Sequence, residues 1–456
     1  MQEENAIRLE EKIVENTSIY EKPVTLKHIL KFAVPTIAMT VFMSFYTMVD
    51  GLFVSNLIST DALSAINLTA PVIQLVTAVS TMLATGGSAV IMKKMGEQKT
   101  DEAKEDFTFL ILVNVIAGFV MCAAGYLAMD HIFAGMNLSA DVEGYCVEYL
   151  SRYLLFTVPI LLMNNFTLYM IASEKAKLSL VCSVAGGILN IVLDYVFIAV
   201  LGMEIGGAAY ATGLGYSVTA VVGLFVFGRK KSLLHFKKPA FRAKVLTAAA
   251  SNGCSEMATA LVTGIITLMF NWTMLYYARE DGVAAVTIIM YVLMFASSLY
   301  TGYSYGVAPM LSYYYGEQNR GKLKKLVSLS LRVIAVISVI TAVGSFLFTR
   351  PLVSVFARPD NPVCDLAVAG NRICTAALLF IGFNIFASGM FTALSNGTVS
   401  AVLAFSRSFV FMLVTMISFP LFFGVTGVWL ATPAAELMAL ALAGFMFLKY
   451  RRRYGY

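Results

Sequence analysis

From residue 29 to residue 448 the chain repeats one pattern twelve times: a long apolar run, then a short break of charged residues, glycine or proline. The runs are 29–56, 61–92, 106–129, 144–172, 177–201, 206–228, 244–277, 282–315, 323–349, 362–393, 399–423 and 426–448. Each holds at least 23 residues. About 20 residues of helix cross a bilayer core, so the pattern predicts twelve transmembrane helices. Several runs exceed 25 residues, which predicts tilted or kinked spans.

Composition agrees. Of 456 residues, 59% are hydrophobic and 13% charged, against about 25% charged in a soluble chain. That leaves too little polar surface to cover a particle facing water. Residues 1–27 are polar and rich in Glu, with no apolar stretch, and read as a cytoplasmic tail rather than a secretory signal. The six cysteines show no paired spacing and read as small buried hydrophobes. His28, His131 and His235 fall near predicted helix ends and form no ligand cluster, so no structural metal site is expected.

Lysine and arginine orient the spans. The tail, the even-to-odd connections and the C-terminus hold 26 of them, while the opposite loops hold Arg279, Arg350 and Arg358. The positive-inside rule then puts both termini in the cytoplasm of a multi-pass protein of the cell membrane. The net charge of +6 is spread over short loops, so it is an orientation signal and not a nucleic-acid surface.

A shift of 220 residues aligns the two halves. Gly96-Glu97-Gln98 falls on Gly316-Glu317-Gln318, Asp61 on Asp281, Ala65 on Ala285 and Gly86 on Gly306. Lys104 falls on Lys324, Arg152 on Arg372, Gly207 on Gly427 and Ala211-Thr212 on Ala431-Thr432. Six spans per half is an even number, so the repeat is parallel, related by an axis along the membrane normal. The expected fold is an all-α integral membrane protein of twelve helices in two pseudo-symmetric six-helix lobes. Its divisions are a tail 1–28, a lobe 29–228, a linker 229–243, a lobe 244–448 and a tail 449–456.

Charged groups inside the apolar runs are the candidate chemistry, because each costs about 2.5–3.5 kcal/mol at the bilayer centre. Asp50, Asp194 and Thr212 each lie six or seven residues from an outer helix end, and Asn190 is one turn deeper than Asp194 on the same face. All four therefore sit roughly 10 Å below the outer boundary. Oxygen ligands suit a hard cation such as Na⁺, and two nearby carboxylates suit proton binding. A structural hydrogen-bond network is the alternative. Arg152 and Arg372 occupy equivalent positions, which favours a repeated structural role, and Glu148 lies one turn from Arg152. Glu256 sits near mid-membrane, facing a cavity or paired structurally. Pro35 bends the first span either statically or as a hinge. Tyr291, Tyr300, Tyr303 and Tyr305 are candidate cavity aromatics.

The chain resembles the multidrug and toxic compound extrusion (MATE) family over residues 25–450. The carrying segments are Pro35, Tyr46-Thr-Met-Val-Asp50-Gly-Leu-Phe-Val-Ser, Ala62-Leu63-Ser-Ala65, Pro71 and Gly96-Glu97. They continue with Asn190-Ile-Val-Leu-Asp194-Tyr-Val-Phe-Ile, Gly206-Gly-Ala-Ala-Tyr-Ala-Thr212, Ser251-Asn-Gly-Cys-Ser-Glu256 and the second Gly-Glu at 316–317. The Asn-Gly-x-Ser-Glu stretch is most similar to the MepA-type bacterial branch. The resemblance implies a secondary antiporter, not an enzyme, exporting amphipathic and often cationic compounds in exchange for H⁺ or Na⁺ without a cofactor. It implies an N-lobe cation site at Asp50, Asn190, Asp194 and Thr212, with Tyr149 beside it, a hinge at Pro35 and a second-lobe acid at Glu256. The run Phe380–Met390 departs from the family pattern, since Asn384 stands where some members carry an aspartate.

Expected partners are small organic cations and the lipid bilayer, with no nucleic acid and a monomeric state. The alternative within the superfamily is a lipid or lipid-linked precursor flippase, whose anionic head groups require clustered Arg or Lys. A membrane-embedded enzyme lacks support, since no His or Cys constellation and no phosphate loop is present. A channel is disfavoured by two pseudo-symmetric lobes and a kinked first span.

Overall fold

The computed structural model describes residues 18–57, 60–134, 138–358 and 360–456, without the side chains of 49–57, 60, 61, 63 and 130. Most of the expected N-terminal tail, residues 1–17, thus lies outside the described residues, as does the side chain of Asp50.

The helices follow the apolar runs. They are α1 Leu26–Leu57, α2 Thr60–Gly96 and α3 Thr100–Ala134, then a broken span of α4 Ala140–Leu154 and α5 Thr157–Ala172 bent by 54°. Next come α6 Ala176–Asp194, extended by a π-turn Tyr195–Val200, and α7 Glu204–Gly228. After an irregular connection, α8 Ala243–Gly316 is followed by α9 Arg320–Leu347 and the short α10 Thr349–Ser354. A second broken span holds α11 Pro362–Cys374, a 3₁₀ turn Thr375–Ala377 and α12 Leu378–Ala393. The last run is α13 Gly397–Phe405, a π-turn Ser406–Phe411 and α14 Met412–Tyr454.

Two of these runs are each two spans. A straight helix of 74 residues would be about 110 Å long, several times the roughly 30 Å hydrocarbon core. Instead α8 reverses at Arg279 (φ 53°, ψ −148°), and Val262 and Phe270 of its first arm share a core with Val286 and Ile289 of its second. Likewise α14 reverses at Gly424 (φ 56°, ψ −133°). The count among the described residues is therefore twelve, as the apolar pattern predicts.

The repeat is visible in the backbone. Left-handed residues recur 220 apart, at Gln98 and Gln318 (φ 63° and 57°) and at Glu204 and Gly424 (φ 48° and 56°). The break after Leu154 recurs after Cys374. These positions are helix ends, where one left-handed residue lets the last carbonyls find donors: Lys99 N–H bonds the Lys94 carbonyl, and Asn319 N–H bonds the Tyr314 carbonyl.

The halves meet most closely at the face that carries both termini. A Cβ built on Gly253 of α8 would lie 1.9 Å from the Met82 carbonyl oxygen of α2, and one on Gly316 would lie 2.0 Å from the Lys93 carbonyl oxygen. Such backbone-to-backbone approach is how helices gain packing energy in lipid, where apolar side chains are already as well solvated outside as in. Tyr20 fills the same seam. Its ring stacks on Tyr313 at 4.8 Å, its hydroxyl donates to the Ala172 carbonyl, and Lys322 Nζ donates to its carbonyl at 3.4 Å. Burial, with Glu174 nearby, holds the Tyr20 hydroxyl well above the usual phenol range, so it stays a neutral donor. The connection after α7 is pinned to the first half: buried Asp106 of α3 pairs with Lys94 and with Arg242, the latter at 3.0 Å.

A side chain at Gly253 cannot coexist with this seam. In a cysteine-free background, Gly253→Val is expected to part the halves at the termini face, because overpacking costs about 1–3 kcal/mol. A Ser312→Cys reporter, buried here, should then react with an impermeant thiol reagent roughly tenfold faster from that face. Unchanged labelling would mean that the seam does not control access.

Candidate ion and substrate sites

The first-half site is built by helices that touch through glycine. A Cβ on Gly186 of α6 would lie 2.6 Å from the Gly215 carbonyl oxygen of α7, and one on Gly215 would lie 3.0 Å from Asn190 Cβ. With no side chain between them, the two helices come close enough for Asn190 Nδ2 to donate to Thr212 Oγ1 at 3.3 Å. Both residues are buried, and Asn190 Oδ1 accepts no hydrogen bond among the described residues. One turn on, Asp194 is 0% exposed. There α6 gives way to its π-turn, a feature common beside functional groups because it re-aims the side chains around it.

The first helix is held alongside. Phe42 and Tyr46 of α1 pack on Gly187 of α6, with a Cβ there only 2.7 Å from Phe42. Residue 50, one turn beyond Tyr46, is thereby set level with the Asn190–Asp194 turn, although the Asp50 side chain is outside the described residues. Tyr149 is buried in the cluster that holds Ile205, Ala208 and Ala209, one turn before Thr212. The structure thus brings Asn190 and Thr212 together, with Asp194 one turn along α6 from Asn190, and buries Tyr149 among side chains of the first turns of α7.

Glu256 lies in a different place. It is half-buried and lines a cavity of about 40 Å³ between the halves, together with Thr85 and Ser88 of α2, Ser304 and Tyr305 of α8 and Thr392 of α12. Hydroxyls dominate the polar lining, and Glu256 is its only ionisable carboxylate. A cation entering here would meet one negative charge and several neutral oxygens.

The other tyrosines are elsewhere. Tyr300 is buried inside the second half, its hydroxyl 2.6 Å from Thr341 Oγ1 and donating to the Leu378 carbonyl at 3.0 Å. Tyr303 is buried too and donates to Ser330 Oγ at 2.9 Å. Tyr291 stacks on Phe356 at 5.7 Å and lines an apolar cavity of about 420 Å³ with Phe45 and Met48 of α1. Arg152 pairs with Glu148 at 3.1 Å, against Gly206 of α7, while Arg372 is exposed. Pro35 is buried within α1; beside it Thr36 donates to the Phe32 carbonyl, and Thr40 donates to Ser298 of α8 at 2.7 Å.

Sequence depth alone missed one cluster. Arg407 Nε donates to both oxygens of Glu436 at 2.9 and 3.0 Å, and Asn384 Nδ2 donates to Glu436 Oε2 at 2.7 Å. Three different spans supply these groups. The only sequence signal was an unpaired arginine and glutamate inside two apolar runs.

The chain is similar to known proteins along nearly its whole length. The sequence model of the MatE family matches residues 35–196 and again 257–417, once in each half. A relative from Staphylococcus haemolyticus named multidrug export protein MepA is 23% identical over 436 residues, covering 95% of this chain and 96% of that one. The protein of the same name from Staphylococcus aureus strain MRSA252 is 22% identical over 435 residues, 94% of this chain and 95% of that one. A crystal structure of MATE in complex with MaL6 shares the fold with a TM-score of 0.89 at 23% identity, covering 96% of this chain and 97% of that chain. The two family matches fall on the two six-helix halves that the backbone repeat defines. The chain therefore belongs to the MatE family, a family of transporters and not of enzymes.

Proposed function

We propose that the chain exports amphipathic organic cations across the cell membrane by alternating access, in exchange for H⁺ or Na⁺. The carrying observation is the Glu256 carboxylate in a cavity between the halves, walled off from the termini face by the glycine seam and, at about 40 Å³, closed down to less than an organic cation needs. With the termini cytoplasmic, as the 26-to-3 split of basic residues indicates, the seam is the inner gate, and it is shut in this state. The apolar cavity at Tyr291 supplies a surface for the hydrophobic part of a substrate, and the names of the relatives, multidrug export proteins, fit that chemistry. A single chain carries both halves, so one protomer suffices. An anionic lipid head group fits less well: the lining of the pocket offers it a carboxylate and no free cation.

The coupling ion binds within the first half, at Asp50, Asn190, Asp194 and Thr212, bordered by Tyr149. Support comes from the buried Asp194 and from the open Oδ1 of Asn190 beside Thr212. Two carboxylates in a low-dielectric site cannot both stay charged without a counter-ion, and one proton or one Na⁺ relieves both. Exchange requires only that ion and drug favour different conformations. Pro35 gives α1 a place to bend as Asp50 changes charge.

Topology is checked by labelling Lys238→Cys and Ser139→Cys, each alone in a cysteine-free background. The first should react only from the cytoplasm and the second only from outside; labelling of both from outside refutes the orientation. Glu256→Gln should weaken binding of a cationic dye about tenfold or more, while a neutral analogue of similar size loses little. Equal losses would make Glu256 structural. Asp194→Asn should abolish efflux of a fluorescent cation from vesicles under separately imposed Na⁺ and pH gradients, at matched expression and with drug binding retained in detergent. Wild-type pumping with unaltered ion dependence would move the coupling site elsewhere.

A further inference from the structure

The second half repeats the frame of the first but not its chemistry. At the 220-residue offset, Asp50, Asn190 and Asp194 fall on Phe270, Val410 and Val414, and only Thr212 keeps its counterpart, Thr432. The oxygen-rich site of the first half is thus replaced by apolar side chains. One helical turn away, between the spans that correspond to α6 and α7, stands the Arg407–Glu436 pair. Arg407 is three residues before Val410, and Glu436 is four residues after Thr432. The π-turns themselves are out of register: Asp194 abuts the π-turn Tyr195–Val200, whereas Arg407 lies within the π-turn Ser406–Phe411, nine residues before the equivalent position.

The pair is complete in itself. Glu436 is 5% exposed, accepts twice from one guanidinium nitrogen, and has its remaining demand met by Asn384, which also donates to the Glu436 backbone carbonyl at 2.9 Å. Its net charge is zero. The first-half candidates, by contrast, include two acids, Asp50 and Asp194, and no base.

We propose that Arg407 is a tethered cation, standing permanently where the second half would otherwise take up a mobile ion. This rests on the reading of the first half as the coupling site and sharpens it: ion dependence is confined to one half because the other carries its own counter-charge. Such a half repacks without waiting for an ion, and its energy does not change with the ion gradient. Among the described residues, the charged group that faces the pair from a neighbouring helix is Glu256 of α8, whose carboxylate lies within electrostatic reach of Arg407; α12 offers the neutral Asn384.

Removing the tether should create the missing ion site. In Arg407→Gln, Glu436 is buried without a counter-charge, so folding raises its proton affinity above that of the unfolded chain. Stability is then greatest at low pH and falls as pH rises through the folded-state value. The assay is the melting temperature of purified protein between pH 5 and 9, with and without Na⁺, all in an Asp50→Asn/Asp194→Asn background so that neither first-half acid titrates. Against that background, Arg407→Gln should lose on the order of 1–2 °C per pH unit and regain it with Na⁺ or acid. Arg407→Lys, which keeps the charge, should behave like the parent, and Arg407→Gln/Glu436→Gln, which removes both charges, should again be flat.

A flat profile in Arg407→Gln overturns the proposal, as does a slope that survives in the double variant, since that would assign it to Glu256. If Arg407→Gln does not fold, Arg407→Gln/Glu436→Gln decides: a folded double variant with a new ion dependence also overturns the proposal, and one without it supports the tether. Failure of the first-half reading is separately visible, as an ion dependence of the melting temperature that Asp50→Asn/Asp194→Asn leaves untouched.

Discussion

Hydrocarbon offers no hydrogen bond, and that single fact governs this molecule. Every backbone amide in a span must bond within its own helix, which is why the apolar runs are helical and why their breaks are concentrated at few places. Side chains obey the same rule: Thr36, Thr81 and Thr85 return their hydroxyl protons to carbonyls one turn back on their own helices. Against that background of internal satisfaction, the π-turns at Tyr195–Val200 and Ser406–Phe411 stand out. Each spoils a turn of good hydrogen bonding, the first next to buried Asp194 and the second at Arg407, the partner of buried Glu436.

The same constraint explains how the halves hold together. Apolar side chains gain little by leaving lipid, so contact between lobes is won by close approach of backbone. Glycines at 86, 96, 253 and 316 let α2 and α8 cross with carbonyls where side chains would stand. Tyr20 adds a polar and aromatic bridge across the same face. A seam made of close steric fits is either shut or parted, with little in between. That all-or-none quality suits a transporter, whose gate must never be open at both faces.

Two copies of one frame carry opposite electrostatic solutions. In the first half the glycine contact of Gly186 and Gly215 brings Asn190 to Thr212, with the Asn190 Oδ1 and Asp194 buried one turn apart. In the second, Arg407, Glu436 and Asn384 satisfy one another. Glu256 lies between these regimes, in a cavity lined by both halves. A structural pair of net charge zero beside a lone carboxylate keeps the pocket acidic without leaving a second buried charge unpaired.

The sequence by itself determined the twelve spans, their alternating direction and the duplication. All of these depend on position along one axis, and apolar run length, basic loops and a fixed offset encode that axis directly. The sixth run, 206–228, became Glu204–Gly228, and the tenth, 362–393, became Pro362–Ala393. What depth cannot give is the direction in which a side chain points around its helix, or which helix stands opposite. Tyr300 and Tyr303 share a span with Tyr305, yet their hydroxyls bond Thr341 and Ser330 within the second half, while Tyr305 lines the Glu256 pocket. Asn384, read in one dimension as an acid gone missing, proved to be the donor that completes Glu436, and Arg407 found its partner 29 residues away. Only the tertiary structure decided these pairings, because a contact across helices is fixed by crossing angle and glycine-permitted approach, and neither leaves a period in the chain.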